Sequence, residues 1–517
     1  MSPSNSSYDS IAQHYHQRTK YDPETIGQKN QGLNWDNQPI PFKEYKLGTA
    51  IDLKPYLSPD TSERDWQNLS RFLLCSYGIT ARVPTLMGES FYLRSSPSAG
   101  GLYPAEVYLI SQGSSLLKPG LYNYQCKTHS LLHYWDNPVW ESLQAACFNH
   151  PALNQTSMAI ALTAIFYRSS WRYQDRAYRR ICLDSGHLLG NLELAGAMYG
   201  YRPYLLGGFT DDRINELLYL DPETEGTLAI LPLVPYTKPD IPPPSPPSAL
   251  PSETQTDYPP LPEGKLLEYL HQSTRIPKNP PPKPDPAPPE LDDKYNFPFC
   301  LKVCTKSRPL NLGDLGSTPP RRTTDEAPSL ENTILQRRST RSYTGADLSL
   351  AELQALLDFT YQPQHYQEQF LDPTPDYFDL SLLETFIAVS GVSGLEEGCY
   401  YYAPRAQELR QIRFKNFRRE LHYLCLGQDL GRDAAAIIFH TADLGKAVAK
   451  YGDRVYRYLH MDAGHLGQRL NLAAIHLGLG VSGIGGFFDD RVNEVLGIPV
   501  DEAVIYITTL GRPRRLG

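Results

Sequence analysis

Four residues near the middle of the chain have the side chains and spacing of an anion-binding cluster. They lie in RRSTRSYTG at 337–345 and are Arg337, Arg338, Ser339 and Arg341. Guanidinium groups suit this chemistry because they donate forked, charge-assisted hydrogen bonds to phosphate oxygens. The C-terminal LGRPRR adds Arg512 and Arg514 directly after a strand-like run. We predict a phosphate site here, and a solvated basic edge is the alternative.

A second segment has the composition of a backbone surface that a flat ligand can approach. In SSPSAGGLYPAEVYL at 95–109, two adjacent glycines follow Pro-Ser-Ala and lead into an alternating strand pattern. Glycine leaves the backbone uncovered, and a turn after serine supplies oriented N–H and hydroxyl donors. The residues concerned are Pro97, Ser98, Ala99, Gly100 and Gly101. We predict a ligand-binding turn, and an ordinary tight turn is the alternative.

Both segments belong to an internal repeat that must position them. GGFTDDRINELL at 207–218 returns as GGFFDDRVNEVL at 485–496, and three further blocks keep the same offset of 278 positions. A constant register over four blocks indicates two copies of one domain. Two copies and a long connection exclude a solenoid, so we expect a side-by-side pair that mimics a homodimer.

The copies differ at the two candidate segments. At the fixed offset, Phe378 and Asp379 occupy the positions of Gly100 and Gly101, so bulk and charge close the second copy's pocket. The first copy has IDLKPYLSPD in place of the arginine cluster. Each copy therefore retains one half of the predicted chemistry, and the retained halves are different.

Hydrophobic periodicity predicts the same mixed α and β elements in both copies. In the second copy, apolar residues recur at spacings of three and four from Val455 to Leu477, which predicts a long helix ending at the following glycines. Runs such as AAAIIFHTA and AVIYITTLG in this copy, and SMAIALTAIF and TLAILPLVP in the first, predict strands. We predict an α+β fold of two tandem domains packed as an intramolecular pseudo-dimer.

Proline is concentrated between the copies. Stretches such as PDIPPPSPPSALP and PKNPPPKPDPAPPELDD favour extended polyproline conformation, so we interpret 236–333 as a linker. A spacer is the main interpretation, a PPxP-type ligand for a partner domain is the alternative, and GKLLEYLHQSTRI predicts one short amphipathic helix inside it. The predicted organisation is an N-terminal extension at 1–45, a first domain at 46–235, this linker, and a second domain at 334–517.

Composition limits the classes of function. The 517 residues are 41% hydrophobic and 21% charged, which is typical of a globular protein with several domains. A net charge of −8 argues against nucleic acid or an anionic membrane as the main partner. The polar N-terminus lacks the pattern of a signal peptide, and scattered cysteines indicate reduced thiols, so we expect a cytoplasmic protein. Cys300 and Cys304 have no second pair or nearby histidines, so no metal site is predicted.

Four motifs together resemble those of the nitroreductase-like FMN flavoproteins. They are RRSxR, the PSAGxLYP segment, KYGxRxYRxxxxDAGH, and GIGGF near the C-terminus. Their order is most similar to the SagB/ThcOx-type dehydrogenases, a branch that oxidises azoline rings in ribosomal peptides to azoles. YHQRTKYDPETIG at 15–27 also resembles the opening of that branch. The similarity covers most of the chain outside the linker.

The resemblance implies that FMN binds where two copies of the fold meet. In the family, one copy supplies arginines to the phosphate and backbone amides to the flavin, and the other supplies its Pro-Ser segment. Carried over to the second copy, the flavin contacts are Arg337, Arg338, Ser339, Arg341, Gly485, Gly486, Arg512 and Arg514. Carried over to the first copy, they are Pro97, Ser98, Ala99, Gly100 and Gly101. Since the mirror site lacks both sets, the resemblance implies one FMN per chain.

The resemblance also implies a catalytic pair for proton transfer. The family places a Lys-Tyr pair beside the flavin, which matches Lys450 and Tyr451 in AVAKYGDR. A lysine with a lowered pKa, or a tyrosine near it, serves as a general base when hydride leaves the substrate. The first copy has Arg172 and Tyr173 instead, and arginine stays protonated. The sequence leaves open which pair faces the flavin, and a surface Lys-Tyr pair at a helix is the alternative.

Three classes of function follow from the resemblance. The first is an FMN-dependent dehydrogenase that oxidises azoline-like rings or a related small substrate, with oxygen as acceptor. The second is an NAD(P)H-dependent nitro- or quinone reductase. The third is a non-catalytic scaffold in a peptide-maturation complex, against which the retained flavin contacts speak. We expect a small-molecule or peptide substrate, partners among maturation enzymes, and a pseudo-dimer that is monomeric or dimerises further.

Overall fold

The computed structural model of the chain describes residues 10–29, 32–84, 90–236, 248–282, 293–297, 300–307, 309–310 and 329–514. The predicted N-terminal extension and linker therefore lie partly outside the described residues. The helices are α1 Ile11–Arg18, α2 Ile26–Lys29, α3 Arg64–Tyr77, α4 Trp140–Ala146, α5 Phe166–Tyr173, α6 Ala177–Met198, α7 Asp211–Leu217, α8 Leu266–Ser273, α9 Leu330–Gln336, α10 Leu350–Tyr361, α11 Arg418–Leu424, α12 Asp429–Asp433, α13 Leu444–Tyr451, α14 Val455–His476 and α15 Asp489–Leu496. The strands are β1 Thr49–Asp52, β2 Ile79–Pro84, β3 Ser90–Arg94, β4 Ala105–Ser111, β5 Gly120–Gln125, β6 Ser130–Trp135, β7 Met158–Ile165, β8 Tyr201–Pro203, β9 Glu225–Pro235, β10 Lys302–Cys304, β11 Leu348–Ser349, β12 Glu384–Val389, β13 Val392–Ser393, β14 Gly398–Ala403, β15 Glu408–Arg413, β16 Ala436–Asp443, β17 Gly480–Ile484 and β18 Glu502–Gly511.

Two seven-stranded antiparallel sheets form the framework, and they share one strand order. The first sheet runs β1-β6-β5-β4-β7-β9-β8, and the second runs β10-β15-β14-β12-β16-β18-β17. The continuous apolar runs of β7 and β16 become buried interior strands, as a run without alternation predicts. The strands predicted from AAAIIFHTA, AVIYITTLG, SMAIALTAIF and TLAILPLVP are confirmed as β16, β18, β7 and β9.

The two domains pack against each other through their long helices α6 and α14, each of 22 residues. Nearly all residues of both helices are buried, because each helix lies between its own sheet and the opposite domain. The helices approach most closely at Gly186 and Gly464. A Cβ added to either glycine would lie 2.1 Å or 2.3 Å from a carbonyl oxygen of the other helix. The predicted long helix and the pseudo-dimer are confirmed.

An arm precedes each domain and crosses to the other domain. The N-terminal arm, residues 11–21, contains α1 and ends in a parallel bridge between Tyr21 and Phe488 of the second domain. The linker arm, residues 266–276, contains α8 and ends in the equivalent bridge to Thr210 of the first domain. Each domain therefore binds the arm that precedes the other domain.

Buried arginines hold both arms through matching hydrogen bonds. Arg179 donates to Thr19 Oγ1 at 2.8 Å, and Arg457 donates to Thr274 Oγ1 at 2.6 Å. The arms also match in sequence as HQRTK and HQSTR, at an offset of 255 instead of 278 positions. The predicted short helix is confirmed as α8. The linker is more than a spacer, because α8 buries Leu270 completely and belongs to the repeated unit.

Candidate functional site

A cavity of about 160 Å³ lies where the two domains meet, and we call it the open cavity. Its lining includes members of both motifs that the sequence singles out. They are Pro97, Ser98, Ala99 and Gly100 from the first domain, and Ser339, Arg341 and Gly485 from the second. The fold therefore brings the Pro-Ser-Ala-Gly turn of one domain to the arginine cluster of the other.

The turn at Ser98 is held by a buried carboxylate. Ser98 Oγ donates to Asp184 Oδ2 at 2.6 Å, and the backbone N–H of Ala99 donates to the same carboxylate at 3.1 Å. Burial raises the pKa of Asp184 to about 7, against the hydrogen bonds from Ser98 and Ala99, which lower it. Gly100 has a φ of +65°, and a Cβ there would lie 2.8 Å from Tyr173 Oη. Glycine is therefore needed for this turn, whose backbone lines the open cavity.

Two of the predicted arginines join the domains. Arg337 is buried, and its guanidinium donates to the carbonyl oxygens of Ser95 at 2.7 Å and Arg94 at 3.1 Å. Arg338 donates to the carbonyl oxygen of Thr80 at 3.0 Å. Burial lowers the pKa of Arg337 to about 10, so this side chain stays protonated at neutral pH. Its Nη1 has no hydrogen-bond partner among the described residues, which leaves one charged donor unused.

Of the other three predicted arginines, one lies at the open cavity and two lie away from it. Arg341 is exposed and lines the cavity. Arg512 instead forms an ion pair with Glu352 at 2.7 Å. Arg514 is exposed, and its backbone N–H donates to the carbonyl oxygen of Ser342 at 3.0 Å. In the part of the chain that the structure describes, neither Arg512 nor Arg514 lines the open cavity.

A larger cavity of about 380 Å³ adjoins the open cavity at Arg180, which lines both, and we call it the outer cavity. Gly486 and the α5 residues Arg172 and Tyr173 contribute to its wall, as does the N-terminal arm. Arg180 donates to the carbonyl oxygen of Gly485 at 3.1 Å, and its guanidinium carbon lies 3.8 Å from the centre of the Tyr173 ring. Its Nη1 is buried without a hydrogen-bond partner among the described residues.

The predicted Lys-Tyr pair lies at neither of these cavities. Lys450 Nζ forms an ion pair with Asp379 at 2.5 Å, and Tyr451 donates to the same carboxylate at 3.1 Å. Asp379 belongs to the second domain's equivalent of the Ser98 turn, so this pair accompanies the turn of its own domain. The pair that accompanies the Ser98 turn is therefore Arg172 and Tyr173, which line the outer cavity.

The equivalent position on the other side of the domain interface is filled, and we call it the closed site. It contains Phe378 and Gly207, the counterparts of Gly100 and Gly485. Phe378 stacks on Tyr458 with ring centroids 4.5 Å apart, and 2% of the Phe378 surface is exposed. A Cβ added to Gly207, the counterpart of Gly485, would lie 2.6 Å from the Phe378 ring. Leu250 of the linker packs against the residue that follows Gly207. The closed site is thus a small apolar core that the linker completes.

Tyr506 of the open cavity belongs to no motif that the sequence points to, and it contacts His187, the counterpart of the histidine in DAGH. His187 Nε2 and Tyr506 Oη lie 2.8 Å apart, and His187 Nδ1 lies 2.9 Å from Gln468 Oε1. Burial lowers the pKa of His187 to about 4, so the imidazole is neutral at neutral pH. A difference between the copies could have identified Tyr506, since Leu228 stands at its position in the first copy.

Gly101 lies behind the Ser98 turn. A Cβ at this position would lie 2.3 Å from the ring of Phe91, so the glycine makes room for β3. Gly101 is not among the described residues that line the open cavity, although the sequence motif places it beside Gly100. Its role is therefore in the packing of the turn.

Neither a metal centre nor a membrane span is found in the described part of the chain. Its residues include no group of three His, Cys, Asp or Glu side chains placed to hold a metal ion. None of its helices is both long enough and apolar enough to cross a bilayer.

Known proteins resemble both halves of the chain. A crystal structure of a "putative nitroreductase" from Anabaena variabilis is 65% identical, covers 98% of this chain and 100% of that one, and superposes with a TM-score of 0.90. "Putative nitroreductase MJ1384" from Methanocaldococcus jannaschii is 33% identical over 183 residues, 35% of this chain and 90% of that protein. "Microcin B17-processing protein McbC" from Escherichia coli is 26% identical over 150 residues. That alignment covers 26% of this chain and 52% of McbC, about half its length.

The model of the nitroreductase family matches the chain twice, at 73–233 and at 334–512. These matches fall on the two domains, whose strands follow the same order. They leave out the N-terminal arm and the linker arm. The resemblance drawn from the four motifs is confirmed, and the chain belongs to the nitroreductase family.

Proposed function

We propose that the chain is an FMN-dependent oxidoreductase that binds one FMN, in the open cavity. Membership of the nitroreductase family implies an oxidoreductase. The observation that carries the rest is the asymmetry of the two interdomain positions. The Ser98 turn meets Arg341 at one position, whereas Phe378 fills the other.

The residues of the open cavity fit FMN. Arg341 supplies a cationic donor to a phosphate, and the Ser339 hydroxyl lies in the same lining. Arg337, whose Nη1 has no hydrogen-bond partner among the described residues, is buried near this lining and adds positive charge. The backbone of the Ser98 turn and of Gly485 supplies a surface without side chains for a planar ring. When bound, FMN supplies the two-electron redox chemistry that amino-acid side chains lack.

We propose that the substrate binds in the outer cavity, beside Arg172 and Tyr173. The Arg172 guanidinium supplies several hydrogen-bond donors in a fixed, planar arrangement. Burial raises the pKa of Tyr173, against the effect of Arg180 and Arg172, so the phenol is protonated at neutral pH. Both side chains therefore donate hydrogen bonds, and the Tyr173 phenol also carries a proton that it can transfer. Such groups suit a substrate that gains electrons and a proton, which favours reduction of a nitro compound or quinone, with NAD(P)H as the electron source.

A second candidate is the oxidation of azoline-like rings with oxygen as acceptor. Sequence similarity to a microcin-processing protein favours it, and in this role the chain would act beside other peptide-maturation enzymes. The reaction needs a base at the substrate, whereas Lys450 and Tyr451 are bound to Asp379 at the closed site. Tyr173 would have to take over the role of the base, and its raised pKa opposes this.

Flavin content and single-turnover reduction test the proposal. Flavin released by heat should amount to about one FMN per chain, and a ratio near two, or none after incubation with excess FMN, would refute the single site. Under anaerobic conditions, we expect NADPH or NADH to bleach the bound flavin. Bleaching by an azoline peptide, with no response to either nicotinamide, would select the second candidate.

A further inference from the structure

The second domain contains a further cavity, of about 340 Å³, that lies apart from the open and outer cavities. Its walls include aromatic and aliphatic side chains, such as those of Tyr361, Tyr377 and Leu382. They also include three carboxylates and three cationic side chains: Asp293, Glu384, Asp443, Lys294, Arg405 and Lys446. Glu384 lies at the start of β12. A volume of this size suits a small molecule.

Glu384 has a hydrogen-bond donor but no cation as a direct partner. Tyr401 Oη donates to Glu384 Oε2 at 2.7 Å. Among the described residues, no lysine, arginine or histidine lies within ion-pair distance of this carboxylate. Of the three cationic residues that line the cavity, Lys294 is paired with Glu502. A carboxylate removed from water without a cation is costly, so this arrangement favours binding of a positive charge.

The first domain shows what the equivalent carboxylate binds. Glu106, at the position of Glu384, forms an ion pair with Arg168 of α5 at 2.7 Å. Their side chains are 7% and 3% exposed, so the guanidinium is sealed inside the domain. The same guanidinium also donates to the carbonyl oxygen of Tyr103 at 3.1 Å. In the first domain the chain itself supplies the cation.

The second domain has a lysine in place of that arginine and has kept the carboxylate. Lys446 of α13 stands at the position of Arg168, but it is exposed. Its backbone N–H donates to Asp443 Oδ1 at 3.0 Å, at the start of the helix. Its Nζ has no ion-pair partner in the part of the chain that the structure describes. Lys446 and Glu384 both line the cavity. The cavity therefore lies between the two positions that Arg168 and Glu106 occupy in the first domain.

We propose that this cavity binds a small cation, a guanidine or primary amine on an apolar body, with Glu384 as its carboxylate partner. The cation replaces the guanidinium that Arg168 supplies in the first domain. The tyrosine and leucine walls bind the apolar body of the ligand. This site is independent of the flavin, since none of its lining residues lines the open or the outer cavity.

Binding should depend on pH in a defined direction. Burial raises the pKa of Glu384 to about 7. The Tyr401 hydrogen bond and Lys294 lower it, and Glu502 and Asp293 add to the increase. Since the cation requires the ionised carboxylate, its affinity should rise between about pH 6 and pH 8.

Phenylguanidine is a suitable probe, and calorimetric titration of the full chain at about pH 8 is the measurement. We expect binding with a dissociation constant below about 1 mM. Phenylurea, which has the same shape without the charge, should bind at least tenfold more weakly, because a charge-assisted hydrogen bond is lost. Absence of phenylguanidine binding, or equal binding of both compounds, would overturn the proposal.

Two variants locate the site. Glu384→Gln should weaken phenylguanidine binding at least tenfold. Lys446→Arg should weaken it as strongly, because the new guanidinium can occupy the position that Arg168 occupies in the first domain. Glu396→Gln at an exposed position is the matched control and should bind as the wild type does. Circular dichroism verifies the fold of each variant, and unchanged affinity in both Glu384→Gln and Lys446→Arg would refute the site.

Discussion

The open cavity and the closed site occupy equivalent positions between the same two domains, yet they are built in opposite ways. At the open cavity, Gly100 forms the turn, and Arg180 donates a hydrogen bond to the carbonyl oxygen of Gly485. At the closed site, Phe378 and Tyr458 stand at the positions of Gly100 and Arg180 and stack on each other. A cavity at one interface thus corresponds to a packed aromatic pair at the other.

This difference shows what a fused pair of domains can do and a homodimer cannot. In a symmetric dimer, each residue occurs at both interfaces, so a side chain that closes one site closes both. In the fused chain, Phe378 can stabilise one interface while Gly100 keeps the other accessible. One interface then supplies stability, and the other supplies the proposed flavin site.

Removal of the aromatic pair at the closed site should produce the largest effect. Phe378→Ala leaves a cavity in a buried aromatic cluster and should destabilise the protein by about 3–5 kcal/mol. Denaturant unfolding measures the loss. Phe414→Ala, at a residue that is 59% exposed, is the control and should cost about 0.5 kcal/mol or less. The open cavity should keep its FMN in both variants, and loss of FMN from Phe378→Ala would disprove the division of roles.

The two tyrosines that accompany the equivalent turns should differ in their effect on catalysis. Tyr173→Phe removes the proposed proton donor at the outer cavity and should lower turnover about a hundredfold. Tyr451→Phe changes the equivalent residue at the closed site and should leave turnover within about twofold. Steady-state rates with NADPH and a quinone measure both, after FMN content has been matched. The reverse order of sensitivity would return the catalytic role to Lys450 and Tyr451.

A smaller difference is expected in FMN affinity between a variant of the arginine cluster and a variant of its counterpart in the first copy. Arg341→Ala removes a charge-assisted contact to the proposed phosphate, which should cost about 1.5–3 kcal/mol, or roughly ten- to hundredfold in FMN affinity. Glu63→Ala changes the counterpart of Arg341 in the first copy and should not alter the affinity. Fluorescence titration of the FMN-free protein gives both values. If both variants lose affinity to the same extent, the halves of the site have been assigned to the wrong domains.

A further contrast concerns the pH dependence that is due to the two carboxylates that hold the turns. Burial raises the pKa of Asp184 and of Asp462 to about 7, above the value of about 3.9 in an unfolded chain. Between about pH 4 and pH 7 the folded protein therefore binds more protons than the unfolded chain. Its stability should fall as pH rises through this window and level off above it.

Replacement of either carboxylate by an amide should reduce that pH dependence. Asp184→Asn and Asp462→Asn each remove one titrating group, and unfolding midpoints measured between about pH 4 and pH 8 would show the smaller slope. FMN affinity should fall in Asp184→Asn alone, because Asp184 holds the Ser98 turn. Equal loss of FMN from both variants would mean that the closed site influences the open cavity.

Much of the fold could be predicted because the repeat keeps a constant register. That register located the long helix and the main strands, and it indicated that the Ser98 turn and Arg341 come from different domains. It could not show which interface Lys450 faces, since this depends on α13 packing beside the turn of its own domain. The register also could not predict the ion pair between Arg512 and Glu352, because the two residues lie far apart in the sequence. Both arm segments were identified in the sequence, but their repetition was not predicted, because their offset of 255 positions differs from that of the domains.

The crossed arms have a consequence for the way the chain is made. Lys20 of the N-terminal arm pairs with Asp490, which is 470 residues further along the chain. At about 5–20 residues per second, a ribosome needs roughly half a minute to a minute and a half to synthesise that partner. The linker arm can bind the first domain early in synthesis, because it follows that domain directly in the sequence. The N-terminal arm can bind only after the residues around Asp490 have been synthesised. A chain that terminates before Asp490 lacks the partner of Lys20 and cannot complete the contact between the N-terminal arm and the second domain.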